Sequence, residues 1–299
     1  MTTTDEQLGG RPTRGGRRFS LSWLGSVPFL AYVSIFLVLP TGIVVVEAFG
    51  DGVGRPTLAN LTELGEDYLR SAFVNSLELS LTSSVIGAVI GALLSYAVVT
   101  GRPDGLLRRS VTSLCGVFAQ FGGVMLAFAF IATVGPEGLL TALLADAGWK
   151  TGGAWLFTLD GLTVVYLYFQ IPLMVLVFTP ALEGLRPQWR EATESLGGTT
   201  WDYWRHVAGP ILLPPFLGSL LLLFANAFSA FATAAALISQ GGVIVPLQIR
   251  QALTSEVVLG RENVAKALAL GMIVVVAVVM ALQALLQRRT SRWLRGSTL

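Results

Sequence analysis

The stretch "EATESLGGTTWDYWRHVAGP", residues 191–210, is the most elaborate polar connection in a chain that otherwise reads as apolar spans. It carries Glu191, Glu194, Asp202, Arg205 and His206, the tryptophans Trp201 and Trp204, and the pair Gly197-Gly198. What flanks it decides the fold. Gly161–Leu182 precedes it and Ile211–Ile238 follows it. Each is long enough for a hydrocarbon core, which takes about 20 apolar residues. Working outward, four more such windows appear at Val27–Phe49, Ala72–Val99, Ser110–Val134 and Val264–Leu286. Only 13% of residues are charged and the mean hydropathy is +0.68, whereas a soluble domain is about 25% charged. The expected class is an all-α integral membrane protein of six transmembrane helices.

The arginines set its orientation. With the N-terminal tail inside, fourteen of the twenty basic residues fall in inner segments, among them Arg17, Arg18, Arg108, Arg109, Arg186, Arg190, Arg205, Arg288 and Arg289. The positive-inside rule then makes both termini and the 191–210 loop cytoplasmic. Residues 1–22 read as a disordered basic tail, 23–287 as one six-helix membrane domain with its cytoplasmic loop at 184–210, and 288–299 as a second basic tail. The apolar stretch from Val27 exceeds a signal-peptide core of roughly 7–15 residues, so it is expected as a retained first span. Gly135–Asp160 and Gln240–Asn263 each have room for a short interfacial helix.

Several chemistries have no residues to carry them. There is no G-x-x-x-x-G-K-[ST], H-E-x-x-H or G-x-S-x-G pattern. Cys115 and His206 are the only cysteine and histidine, too few for a zinc site of those ligands. A net charge of +2 gives no case for nucleic acid. What remains is transport, a channel or a membrane scaffold, with no catalytic residues, cofactor or metal of its own expected.

The loop has local structure of its own. Pro187 suits a first helical position, and Trp189, Ala192 and Leu196 follow at i, i+3 and i+7, with Leu185 one turn earlier, as one apolar stripe. Gly197-Gly198 provides a left-handed stop. Thr199 opens a second short helix, with Asp202 three residues on as a capping-box partner. Two readings fit this pattern: an interfacial helix resting its tryptophans among headgroups, or a knob that docks a cytoplasmic partner.

The residues also resemble a family. Glu191-Ala192-Thr193, with Gly197 after three intervening residues and Pro210 closing the stretch, is similar to the E-A-A…G…I-x-L-P signature of permease subunits of type I ABC importers. Thr193 replaces an alanine, and Gly209 stands where leucine is usual, with a literal I-x-L-P at Ile211–Pro214. Asn75-Ser76-Leu77 and the Pro172-bearing fourth span look like the same family. The resemblance implies the MetI-like fold and a coupling helix seated in a cytoplasmic ATPase through Trp189, Glu191, Ala192, Glu194 and Gly197. It also implies three partners: a dimer of ATP-binding subunits that holds ATP and Mg, a second identical or related permease, and an extracytoplasmic substrate-binding protein. Among such importers the chain is most similar to the polyamine, ferric iron, thiamine and phosphonate group, polyamine first, and less similar to sugar permeases. An ion-coupled secondary carrier is the rival class, but no repeat between the halves supports it.

Polar residues inside spans are candidates for the solute pathway: Asn75 and Glu78 in the second span, Gln170 in the fourth, Asn226 and Thr233 in the fifth. Tyr166, Gln120, Ser219 and Thr82 join them, with interhelical hydrogen bonding as the plainer role. Glu78 is the costly one, because a carboxylate in the membrane must line water or pair, with Arg70 or Arg250 as the available cations. With no Lys or Arg deep in any span, Glu78 and Glu47 favour a cationic solute.

Overall fold

A computed structural model describes residues 26–50, 55, 57–58, 60, 62, 64–101, 105–148, 153–238, 243–254 and 261–295; the expected tail at 1–22 lies outside them. Among the described residues, six helical runs are long and apolar enough to cross a membrane: Val27–Ala48, Asp67–Thr100, Gly123–Asp146, Leu159–Glu183, Thr200–Ser229 and Asn263–Leu286. The expected all-α class with six spanning runs is therefore found, and the chain is a multi-pass integral membrane protein.

Two units are distinguished, one up to Val46 and one from Glu47 onward. Helix α1 (Val27–Ala48) begins with Pro28 in its first turn and contains a π-turn at Ser34–Val38. Pro40 follows directly and has no N–H to continue the ladder, a common origin of such local rewinding.

In the second unit the long helix α2 (Asp67–Thr100) has two faces. Ser76, Ser80, Ser83, Ser84, Gly91 and Ser95 are buried, while Val74, Leu81, Val85, Val89 and Leu93 are exposed. The serine hydroxyls donate to their own helix, Ser80 to the Ser76 carbonyl at 2.6 Å and Ser95 to that of Gly91 at 2.8 Å. A smooth face results, with its polar groups satisfied, as close packing in a bilayer needs. Helix α6 (Leu159–Glu183) lies on it, so near that a side chain at Gly91 would meet the Met174 Cβ at 2.5 Å.

The third window is not one helix. It divides into α3 (Leu106–Gln120) and α4 (Gly123–Val134), and the third apolar run begins at the break and continues into α5 (Leu139–Asp146). The fifth window, expected from Ile211 to Ile238, also differs. Its helical run starts at Thr200. After a short π-turn it becomes α9 (Gly209–Ser229) and stops at Ala230-Phe231 before α10 (Ala232–Leu237). Gly122-Gly123 explains the first break. Nothing in "FSAFAT" explains the second, which is set by tertiary hydrogen bonds described below.

The short helices expected in the outer connections are α5, a 3-10 turn at Gly153–Phe157, and α11 (Val245–Thr254). The last helix, α12 (Arg261–Arg295), runs past the expected end of its span at Leu286. On the outer side Lys266 pairs with Glu47 at 3.1 Å, and the buried Asn60 amide donates to the Ala48 and Gly50 carbonyls at 3.1 and 2.8 Å. The core around Leu126, Leu162, Tyr166, Phe169 and Leu237 lies at the level of both breaks. A second cluster, Met174, Phe178, Leu182, Leu212 and Leu223, fills the bundle on the side of the 184–210 loop.

Candidate functional site

The cytoplasmic loop is a two-helix knob. Helix α7 (Pro187–Ser195) starts on Pro187 and ends where Gly197 turns left-handed, φ +78°. The last turn is closed by Gly197 N–H to the Glu194 carbonyl at 3.0 Å and Gly198 N–H to that of Thr193 at 2.9 Å. Helix α8 (Thr200–Tyr203) opens with the expected capping box. Asp202 Oδ2 accepts from the Thr199 N–H at 2.9 Å and hydroxyl at 2.7 Å, and the Asp202 N–H returns to Thr199 Oγ1 at 3.3 Å.

The expected stripe is rotated. Leu185, Trp189 and Thr193, spaced i, i+4 and i+8, face inward and are half-buried, while Ala192 points out. Leu196 is 89% exposed and Trp201 68% exposed. The rotation follows from the Thr193 hydroxyl, which donates to the Trp189 carbonyl at 2.9 Å and so sits comfortably on the protein side of the helix. Glu191 and Glu194 are exposed. Glu194 pairs with Arg190 one turn away at 3.0 Å, an exposed pair of small energetic value. An Arg108–Glu183 ion pair ties the start of α3 to the end of α6 just before the knob.

The Asp202 carboxyl is held below its ordinary value by the Thr199 hydroxyl and backbone hydrogen bonds, with a smaller contribution from the charge of His206. A lowered folded-state pKa gives stability that is present above the unfolded value and is lost as pH falls through the folded one. The protection of the α8 amides, taken as their exchange relative to the intrinsic rate at each pH, is therefore expected to be high at neutral pH and to fall below about pH 4, near the unfolded Asp value. In Asp202→Asn that acid-dependent loss of protection disappears. An unchanged acid profile in the variant would remove Asp202 as the pH-sensitive cap.

The second candidate region lies where the two broken spans meet. Thr233, at the start of α10, clasps Gly123 at the start of α4 from both sides. Its Oγ1 accepts from the Gly123 N–H at 2.9 Å and donates to the Gly123 carbonyl at 3.3 Å. Gly123 has φ +73°, a conformation that suits glycine. The other break is held from α6. The Tyr166 hydroxyl, on a fully buried side chain, donates to the Ala230 carbonyl at 2.9 Å. Backbone groups freed by a break inside a membrane require such partners. Beside them is a cavity of about 290 Å³ bordered by Gly122, Gly123, Asn226, Ser229, Phe231 and Thr233. The Asn226 side chain is exposed toward this region, and the Arg250 guanidinium lies 5.9 Å from the Phe231 ring centroid.

The remaining candidates are dispersed. Asn75 donates to the Val243 carbonyl at 3.0 Å, and its neighbour Ser76 accepts from the Val245 N–H at 2.9 Å, so this end of α2 holds α11 in place. Gln170 is fully buried, with Nε2 on the Leu223 carbonyl at 3.0 Å and Oε1 without a partner among the described residues. Glu78 is exposed on the apolar face of α2 and forms no ion pair with Arg70, Arg250 or any other described residue. The structure thus brings Asn226 and Thr233 together at one cavity and places Asn75, Glu78 and Gln170 elsewhere. Gly123 and Phe231 had no sequence signal as site residues beyond the double glycine.

A polar knob of two capped helices beneath six spans, at the position of the Glu191…Gly197 pattern, is accompanied by a family match over residues 87–292, to the inner membrane component of binding-protein-dependent transport systems. The chain belongs to this family. Its relatives include the putative ferric transport system permease FbpB 1 of Haemophilus influenzae, 22% identical over 72% of this chain and 34% of the relative. The sulfate transport system permease CysT of Escherichia coli is 25% identical over 68% of this chain and 69% of its own length. The chain spans about a third of the length of the ferric-transport permeases it matches. The fold is shared with a chain of a bacterial ABC transporter involved in the import of alginate, with a TM-score of 0.71, 17% identity, and coverage of 91% of this chain and 95% of that one.

Proposed function

We propose that this transport component is the permease subunit of an ATP-driven importer and forms half of the translocation pathway for a small solute delivered by a binding protein. The observation that carries this reading is the knob. A rigid two-helix projection with Leu196 and Trp201 bare to the cytoplasm is suited to a groove in a second protein. Trp189, Glu191, Ala192, Glu194 and Gly197 form or position that seat, and a cytoplasmic ATP-binding subunit fills it. A second permease completes the pathway, and ATPase closure biases the helix bundle between two states. The cavity between the two breaks, with the Asn226 amide and exposed backbone, is the solute-contacting part of this subunit.

The solute is a small cation, a polyamine of the spermidine or putrescine type foremost, with ferric iron and thiamine as alternatives. Glu78 supports this. An exposed carboxylate on an apolar span is stable where it faces water, and there it attracts cations. A water-screened charge at about 4 Å is worth about 1 kcal/mol, so Glu78→Gln is expected to raise the apparent KM for a cation about fivefold and leave ATPase association intact. An unchanged KM returns Glu78 to packing between subunits. The sulfate permease among the relatives favours an oxyanion as second reading. A thermal-shift screen of the partner binding protein against spermidine, putrescine, ferric iron, thiamine and sulfate decides between them: a shift with sulfate alone overturns the cation, and a shift with spermidine alone supports it.

A further inference from the structure

The knob joins the bundle at two places, and neither is α-helix. On one side α6 ends at Glu183, and Gly184, Leu185 and Arg186 turn the chain into α7. On the other a single helical run extends from Thr200 to Ser229, but Trp204–Ala208 within it is rewound as a π-turn. The Gly209 N–H reaches back five residues to the Trp204 carbonyl, where an α-helix would use that of Arg205. Pro210 follows without an N–H. The Arg205 carbonyl therefore has neither an α-helical nor a π-helical donor, and that of His206 loses its α-helical one. Pro214 and Pro215 likewise deprive the carbonyls of Pro210 and Ile211. Arg205 and His206 are exposed, so water reaches the freed groups. Gly209 is what lets the turn close: a side chain there would meet the Trp204 carbonyl oxygen at 2.6 Å. The leucine usual in the family at this position does not fit such a turn, so the joint is particular to this chain.

We propose that this π-turn is a hinge on which the knob rocks as one piece when its ATPase closes, with the turn at Gly184–Arg186 as the second bearing. The inference rests on the reading of the knob as an ATPase seat, and holds whichever solute the importer carries. The pieces on either side of the hinge are firmly held. The knob has its left-handed Gly197 and its capping box, and α9 is fastened to α6 where Gln170 donates to the Leu223 carbonyl at 3.0 Å. Motion between two stiff pieces concentrates where few backbone bonds resist it. The two joints also lie together. Leu185 of the first and Trp204 of the second pack on one cluster with Leu182 and Leu212, and Tyr96 of α2 stands edge-on to Trp204, ring centroids 5.4 Å apart. Two joints define an axis, whereas one alone would let the knob swivel. Single π-turns inside α-helices are frequent at sites that work in this way.

The test uses the full chain in nanodiscs, both alone and co-purified with its partner subunits. Deleting His206 shortens the turn by one residue, and the Gly209–Trp204 bond then spans the four residues of an ordinary α-helix. Hydrogen exchange at the Ala208 and Gly209 amides of the chain alone is expected to slow about tenfold in the deletion, the effect of one backbone hydrogen bond. Co-purification of the ATPase is expected to be unchanged. ATP hydrolysis and uptake per assembled complex are expected to fall together, about tenfold for one such bond of added resistance. Deleting Arg205 shortens the turn equally and is expected to act alike, which sets aside the chemistry of the histidine. Unchanged exchange in both deletions overturns the hinge, as does hydrolysis and uptake per complex at the wild-type rate. Loss of the ATPase from the deletions alone overturns it too, because the turn would then only shape the seat. Failure of the ATPase to co-purify with the unaltered chain instead overturns the seat, and the exchange measurement still decides whether the joint is loose.

Discussion

Gly197→Glu is expected to abolish ATP-driven uptake and co-purification of the ATPase while leaving all six spans inserted. At φ +78° an ordinary L-residue costs about 1–2 kcal/mol, and relaxing that strain unwinds the turn that presents Leu196. An exposed anchor of this kind carries about 2 kcal/mol or more of an interface, or roughly thirtyfold in affinity at tenfold per 1.4 kcal/mol. Gly197→Asn separates the causes. Asparagine visits the left-handed region with little penalty, so most coupling is expected to survive it. Leu196→Asp keeps the turn and is expected to fail as completely as Gly197→Glu. Normal uptake in both failing variants would remove the knob as the coupling element.

Thr233→Val is expected to lower uptake at least tenfold with ATPase association unchanged. Valine preserves the shape of threonine but removes both bonds to Gly123. The Gly123 N–H is then unpaired at a break inside the membrane, at about 1–3 kcal/mol, and the Gly123 carbonyl keeps only its helical donor. The starts of α4 and α10 lose their common fixing point, and the adjacent cavity loses its defined wall. Thr233→Ser keeps the hydroxyl and is expected to restore most transport. Tyr166→Phe is the matching test at the other break, where the Ala230 carbonyl loses its donor. If Thr233→Val transports normally, the clasp contributes packing and nothing to the pathway. Uptake kinetics in reconstituted vesicles, with a pull-down as control, measure all of these.

Local chemistry made the knob legible before any coordinates. Pro187, Gly197 and the Thr199–Asp202 pair act over three or four residues, and each appears as the spacing implies. Long apolar windows likewise announce spans, because bilayer thickness sets their length. What stayed hidden depends on distant partners. The break at Ala230-Phe231 has no glycine or proline and exists because Tyr166, 64 residues away, supplies a donor. Leu196 faces outward, against its apolar spacing, for a related reason: on a helix this short, Ala192 and Thr193 are alternative inward positions, and the tertiary setting selects Thr193. Gly209 looked like a defect in a signature and is the closing residue of a π-turn, a geometry that no apolar periodicity reports.

Leu196 and Trp201 have a consequence for the life of the protein before assembly. A subunit inserted ahead of its partners exposes a leucine and a tryptophan to the cytoplasm on a rigid, well-capped platform, and solvent gives neither any reason to fold away. Chaperones and membrane proteases read such bare apolar surface as a mark of an orphan. On the proposed assembly, stoichiometry can then be enforced at the knob itself: the surface proposed to accept the ATPase is also the one that condemns unpaired copies. Chains made in excess of the ATPase are expected to turn over faster than assembled ones, and Leu196→Ser with Trp201→Ser to lengthen the lifetime of the orphan while leaving it idle.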